Sequence, residues 1–459
     1  MKKIHFFALF FFFNIVHLYA RFGGGGGRGG GSHSGGGGFS SHGSGIGYSG
    51  GGGSMGSSQI IIIVIVIIII MIYNSKQKAK SNQNNFLDDN QNSDFQEHPF
   101  PAGLDIEKIK KSFFDMQIAW QTKDVKSVRK WMSDGVYQRL NTQFLMMNKL
   151  FQTNQMSNIQ VQSVKTVRVQ QDGEYEIADV EIRFTLDDKF LSSKYPQFNE
   201  EYQDDYATEY WTYIKRSDSK GDKNLYTSNN CPNCGAVLDN NLGEISRCLS
   251  CKTLTNNASY DWVLSEITQE DDYEPYNHLY EDEEFKKLTT SDGLFSIQRM
   301  EDLASNIFMQ TMNVMSGEDS KKLARFANQD VIKKIIQHKN SIDNYIFNRI
   351  YMNEVTLSNY NVENETLNLT FSLTASYSRI KVENEKLKTI DEYPEPNRFK
   401  MTLSKKLSGQ ITPKFETVYS YECPSCAAPY SDTTDDKCKF CGESVVDINK
   451  NWVLTDFMF

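Results

Sequence analysis

Eight cysteines stand in two groups of four. Cys231-Pro-Asn-Cys234 is followed, after thirteen residues, by Cys248-Leu-Ser-Cys251, and Cys423-Pro-Ser-Cys426 is followed, after eleven, by Cys438-Lys-Phe-Cys441. Two residues between cysteines let one tight turn offer two thiolates to a single ion, and two such turns close a tetrahedral set. Gly235 follows Cys234 and Gly442 follows Cys441; a glycine there can take a positive φ and aim its amide at a sulfur. The spacing predicts two zinc ribbons, each holding one zinc ion through four thiolates. A closed four-thiolate set keeps no position for water or substrate, so both ions are expected to be structural. The alternative for an even number of cysteines is disulfides, which need an oxidising compartment.

Little else is equipped for catalysis. Of seven histidines, four (His5, His17, His33, His42) precede the folded part. His98 and His278 fall in linkers, and His338 sits in a helix beside Gln337 and Lys339. No nucleophile–base arrangement stands out, and no enzyme is expected. The charge argues against nucleic acid as a partner. Residues 1–80 hold seven Lys/Arg and no Asp/Glu, leaving 42 Lys/Arg against 58 Asp/Glu in the rest, a net −16. The lysine pairs at 321–322, 333–334 and 405–406 are the best basic candidates, and they read as a solvated face.

The elements that must position the cysteines occur twice. "VRKWMSDGVYQRL" (Val128 to Leu140) aligns with "LARFANQDVIKKI" (Leu323 to Ile335) at an offset of 195, and "DWVL" (Asp261 to Leu264) with "NWVL" (Asn451 to Leu454) at 190. Each tetrapeptide follows a four-cysteine group, and a nearly constant offset in matching order marks a duplication. Each copy runs helices first. Ile106, Ile109, Phe113, Met116 and Trp120 line one helix face, as do Met300, Leu303, Ile307 and Val314. Further helices are expected over Val125 to Met156 and Ser320 to Tyr351. The period then falls to two. Ala178, Val180, Ile182, Phe184 and Leu186 alternate with Asp179, Glu181, Arg183 and Thr185, and Leu367 to Tyr377 repeats the pattern. Asp172-Gly173 marks a hairpin turn. These read as antiparallel strands with one wet face, acidic side chains outward. The fold class is α+β: two tandem domains, residues 104–267 and 294–459, each with helices on a curved antiparallel sheet and a ribbon insertion at 227–256 and 420–446. Residues 268–293 read as an acidic, solvated linker.

The N-terminal eighty residues read differently. Residues 1–20, with Lys2, Lys3 and an apolar run from Phe6, form a secretion signal, either cleaved or kept as a first membrane helix. Twenty of thirty glycines lie between Gly23 and Gly56, so residues 21–58 are a Gly-rich tether. Ile60 to Ile72 contains only Ile, Val and Met, and residues 59–73 are expected to span a membrane once. Lys76, Lys78 and Lys80 then put the polar linker 74–103 and everything after it on the cytoplasmic face.

"FFDMQIAWQTKDVKSVRKWMSDGVYQRLNTQF" (Phe113 to Phe144), followed by "VQSVKTVRVQQDGEYEIADVEIRFT", resembles translocase-of-the-inner-membrane subunit 44 and its bacterial Tim-forty-four-like relatives. The resemblance covers about 160 residues of the first copy and, more weakly, the same stretch of the second. It implies a nuclear-transport-factor-two-like domain, non-catalytic and held at the inner membrane, with an apolar pocket. Phe114, Trp120, Trp131 and Leu140 are the candidate pocket-lining residues, against the plainer reading of an ordinary core. The ribbons are extra to the mitochondrial protein, and a Gly tether stands where its chaperone-recruiting region lies, so motor recruitment is not carried over. The expected function is a membrane-anchored scaffold that presents two ribbon-bearing domains to a partner protein. The alternative is a carrier or sensor of a lipid or other apolar ligand.

Overall fold

Asp105 accepts a hydrogen bond from the Lys108 amide at 2.7 Å and so caps the helix its spacing predicts, α1 (Ile106–Thr122). In the computed structural model, the described residues are 95–219, 223–238, 242–290, 292–342, 345–383, 386–407, 423, 425–426, 428 and 437–459. The signal, the tether, the expected membrane segment and the linker up to residue 94 lie outside them. No helix among the described residues is long and apolar enough to cross a membrane. Glu97–Phe459 belongs to one compact unit.

Ser133 caps α2 (Asp134–Lys149) by accepting from the Val136 amide. Four antiparallel strands follow: β1 (Gln152–Asp172), β2 (Tyr175–Ser192), β3 (Glu200–Arg216) and β4 (Val263–Gln269), in sheet order β1-β2-β3-β4. Gly173 takes φ +59° in the β1–β2 turn, where the Asp-Gly pair predicted one. The second half adds α3 (Glu283–Thr289), α4 (Ile297–Met315), α5 (Gln329–Ser341), β5 (Ile346–Glu363), β6 (Thr366–Glu383), β7 (Lys386–Thr389), β8 (Glu395–Lys406) and β9 (Val453–Met458). Its sheet runs β5-β6-β8-β9, with β7 pairing β6. The repeated tetrapeptides open β4 and β9. In each half the residue before the second-helix cap bridges that last strand, Met132 to Leu264 and Ala327 to Leu454.

Three expectations are corrected. The helices expected to reach Met156 and Tyr351 stop at Lys149 and Ser341. From Gln152 burial alternates residue by residue, and Ile346 to Met352 is an apolar run that helical spacing does not distinguish from a buried strand. Second, β2 alternates between buried and half-buried residues only from Thr185 on, and from Ile177 to Phe184 it is buried on both faces: Asp179 and Glu181 are fully buried. Arg168 and the Tyr273 hydroxyl both donate to Asp179 at 2.6 Å, while Arg183 Nε (2.8 Å) and Tyr210 (3.1 Å) donate to Glu181. Tyr273 stacks on Tyr210 at 3.9 Å. Third, Tyr273 belongs to the expected solvated linker, which instead covers the sheet and buries Leu279 and Phe285.

The halves complete each other's helix ends. Asp172, in the first half, accepts from the Ile297 and Gln298 amides (3.0 and 2.9 Å) at the start of α4. Asp302, on α4, accepts from the Gly135 amide at 3.0 Å and from the Ser133 hydroxyl at 2.5 Å at the start of α2. Gly135 permits this approach, because a Cβ there would sit 2.2 Å from the Asp302 carboxylate and 2.6 Å from Ser305 Oγ. Burial pushes the Asp302 carboxyl up to about 7, with Asp134 adding to the shift and Ser133, Gly135 and Arg139 opposing it. Burial also raises Asp172 and Glu301. A carboxyl with its folded pKa above its unfolded value of about 3.9 binds more protons folded than unfolded, so its contribution to stability declines as pH rises. For Asp302 the decline should run from about pH 4 to about pH 7 and level off above that. Asp302→Asn should flatten that part of the profile, leaving the slope due to Asp172 and Glu301. Urea unfolding across this range checks it, and an unchanged slope would count against Asp302.

Candidate metal centres

The sulfurs of each cysteine group lie within 4.8 Å of one another. Cys231 and Cys251 are 3.6 Å apart and Cys234 and Cys248 3.8 Å; in the second group Cys423 and Cys441 are 3.4 Å apart and Cys426 and Cys438 3.6 Å. A disulfide is about 2.05 Å long, whereas a tetrahedron with metal–sulfur bonds of about 2.3 Å has edges of roughly 3.8 Å. All eight thiols are free. The spacing therefore fits four ligands around one ion in each group, and four thiolates suit a thiophilic divalent ion such as zinc.

Backbone hydrogen bonds shape the turns. Cys231, Cys248, Cys423 and Cys438 each donate their amide to a carbonyl five residues on, at 2.7, 2.9, 2.8 and 2.8 Å. Gly235 and Gly442, immediately after a cysteine pair, take φ +77° as expected. Lys252 holds the same place at φ 66° and pays steric strain there. Lys252→Gly should raise the stability of the metal-loaded first ribbon by about 0.5–1 kcal/mol. Urea unfolding at fixed zinc reads this, and a loss of stability would refute the strain. In the first group the thiols titrate apart: burial pushes Cys231 up to about 12, while the Thr253 hydroxyl is the main cause that draws Cys251 down to about 5. A bound cation supplies the positive charge that lets all four ionise together.

The first ribbon is clasped by Arg129, a fully buried side chain. Its guanidinium donates to the carbonyls of Gly243 (3.0 Å) and Glu244 (2.8 Å) in the ribbon, to the Met132 carbonyl at 2.7 Å, and to the Asp134 carboxylate. Lys130 donates to the Ser228 carbonyl at 2.6 Å, and Trp131 stacks on Tyr226 at 4.8 Å. Asn256, leaving the ribbon, donates to both Met132 and Asp134 at 3.0 Å. Ala324 stands at the position of Arg129 in the second half. Sequence reasoning missed Arg129, because its ribbon acceptors lie more than 110 residues away.

The pocket candidates separate. Trp120, Trp131 and Leu140 are buried in the first half's core, Trp120 against Phe144 with its Nε1 donating to Asn154 at 2.7 Å. Phe114 is 38% exposed, turned away from the buried face of Ile109, Phe113 and Met116, with its ring edge-on to Phe113 at 5.6 Å. The four therefore do not converge on one pocket, and the reason is helical phase. A cavity of about 150 Å³ instead lies between the halves, walled by Tyr175, Phe295, Phe326 and Trp452 and reached by Arg299 and Lys405.

Residues 90–224 match the family model of the Tim44-like domain. No curated protein matches the chain. Among solved structures, an Ntf2-like protein involved in plasmid conjugation aligns at 8% identity over 61% of this chain and 96% of that one, with a TM-score of 0.12, too low to bear on the fold. The match spans α1 to β3 and stops ahead of Cys231. Residues 90–224 are thus similar to a Tim44-like domain, and the first four-cysteine group lies between β3, after which that match ends, and β4.

Proposed function

We propose that the protein is a membrane-anchored, non-catalytic scaffold that holds a partner protein through its two ribbons. On this reading residues 59–73 span the inner membrane once, both ribbons carry zinc, and the two halves are tandem nuclear-transport-factor-two-like domains facing the cytoplasm. The observation that carries the reading is the exposure of large apolar side chains on the cysteine turns: Val237 (76%) and Leu249 (65%) in the first ribbon and Phe440 (76%) in the second. A ligand set with no open position does no chemistry on a substrate, and exposed apolar tips on a rigid metal-held loop suit contact with protein. The acidic balance of the chain disfavours nucleic acid. A photoreactive side chain placed at Leu249 or Phe440 in the full chain, in native membranes, should give an adduct of one defined mass that zinc chelation abolishes. No adduct from either position would sink the scaffold reading.

The cavity between the halves favours a second reading, a carrier of a small ligand. Its volume of about 150 Å³ admits a group the size of a single aromatic ring, not a lipid chain. Native mass spectrometry of the full chain distinguishes the two, since a carrier retains a small adduct.

A further inference from the structure

The cavity between the halves is lined by four cations, Arg299, Arg325, Lys405 and Lys450, against three acids, Asp134, Asp292 and Asp302. The acids are engaged. Asp134 accepts from Arg129 and Asn256, Asp292 from Lys405 at 2.8 Å, and Asp302 from Ser133 and Gly135. Burial lifts the Asp302 carboxyl to about 7, so near neutral pH it is only partly charged. The wall is therefore net positive, in a chain whose residues 81–459 sum to −16.

Two of the cations stand over the aromatic walls. The Arg299 guanidinium lies 5.3 Å from the centre of the Tyr175 ring and the Lys405 ammonium 5.8 Å from that of Trp452, while Phe295 is 6.2 Å from Trp452. An ammonium has three donors, and Asp292 takes one of those on Lys405. The Lys405 side chain is 14% exposed, so an anion arriving there would meet a donor that is already largely desolvated.

We infer that this cavity binds a small aromatic carboxylate, a single ring with its anion toward Lys405 and Arg299. The inference rests on the second reading above, that the cavity holds a small ligand, and gives that ligand its charge. A neutral ring would leave the positive wall uncompensated, and an aromatic amine would be repelled by it. The place of the cavity gives binding a consequence. Asn256 ends the first ribbon, and Lys450 to Trp452 lead from the second into β9; all line the cavity. Lys450 also reaches Ser425 Oγ, between Cys423 and Cys426, at 3.3 Å. One ligand would touch the exits of both ribbons.

The test uses the full chain in detergent, with benzoate, benzyl alcohol and benzylamine as probes of one ring in three charge states. Calorimetry reads affinity and hydrogen exchange locates the site. Benzoate should bind at least about tenfold more tightly than either other probe and should slow exchange over 256–258 and 450–452. Lys405→Gln should weaken benzoate by about tenfold and leave benzyl alcohol within about twofold, with bound zinc unchanged as the check on folding. Benzyl alcohol or benzylamine binding as tightly as benzoate, with exchange slowed at the same residues, would overturn the anion and leave the small-ligand reading standing. Unchanged benzoate affinity in the Lys405→Gln chain would do the same. No binding of any probe, or protection only elsewhere, would overturn both.

Discussion

Cys248→Ser should remove one of two bound ions and unfold the first ribbon while leaving the second loaded. A structural four-thiolate zinc contributes on the order of 10 kcal/mol of apparent binding energy to the fold around it. The ribbon has little else: its buried apolar cluster is Cys231, Leu238, Leu242 and Cys248, two of which are candidate ligands. Native mass spectrometry should fall from two zinc ions per chain to one, with hydrogen exchange rising sharply over 228–256 and unchanged over 437–446. Loss of both ions from this single change would mean that the centres are not independent. Two ions retained would mean that Cys248 is not a ligand.

Arg129→Met should destabilise the first half by about 3–5 kcal/mol. The substitution keeps most of the side chain's volume and removes every donor. The carbonyls of Gly243, Glu244 and Met132 and the Asp134 carboxylate would then be buried without the guanidinium that satisfies them. The ribbon should keep its zinc and lose its fixed seat on the domain. Urea unfolding together with zinc content separates these outcomes, and a change below about 1 kcal/mol would show that the clasp is ornamental. Ala324→Arg, at the aligned position of the second half, is the matched control.

The contrast between these two sites explains what the sequence could reveal. The grouping of the cysteines was legible because each pair is three residues apart and the chemistry is local. The Asp-Gly turn and the first-helix faces were legible for the same reason. The clasp and the crossed caps were not. Asp302 meets Gly135 across 167 residues, and Arg129 meets Gly243 across 114. No periodicity encodes such pairings. The burial of Asp179 and Glu181 was hidden for a related reason: alternation on β2 predicted a wet face, but Tyr273, from a stretch that reads as solvated, covers it. Phe114 shows the limit of composition: its ring meets that of the buried Phe113 edge-on at 5.6 Å, yet helical phase leaves it exposed.

The crossed caps have a consequence for folding. Neither half holds a full set of partners for its own helix ends: α4 begins on Asp172, and α2 begins on Asp302. Severed between the halves, each would keep first-turn amides facing a vacated surface, the more costly because that surface was shaped to exclude water. The chain should therefore unfold in one cooperative transition despite its duplicated plan. Duplication supplied two copies, and the exchange of caps has made them a single folding unit whose parts can no longer be lost or replaced one at a time.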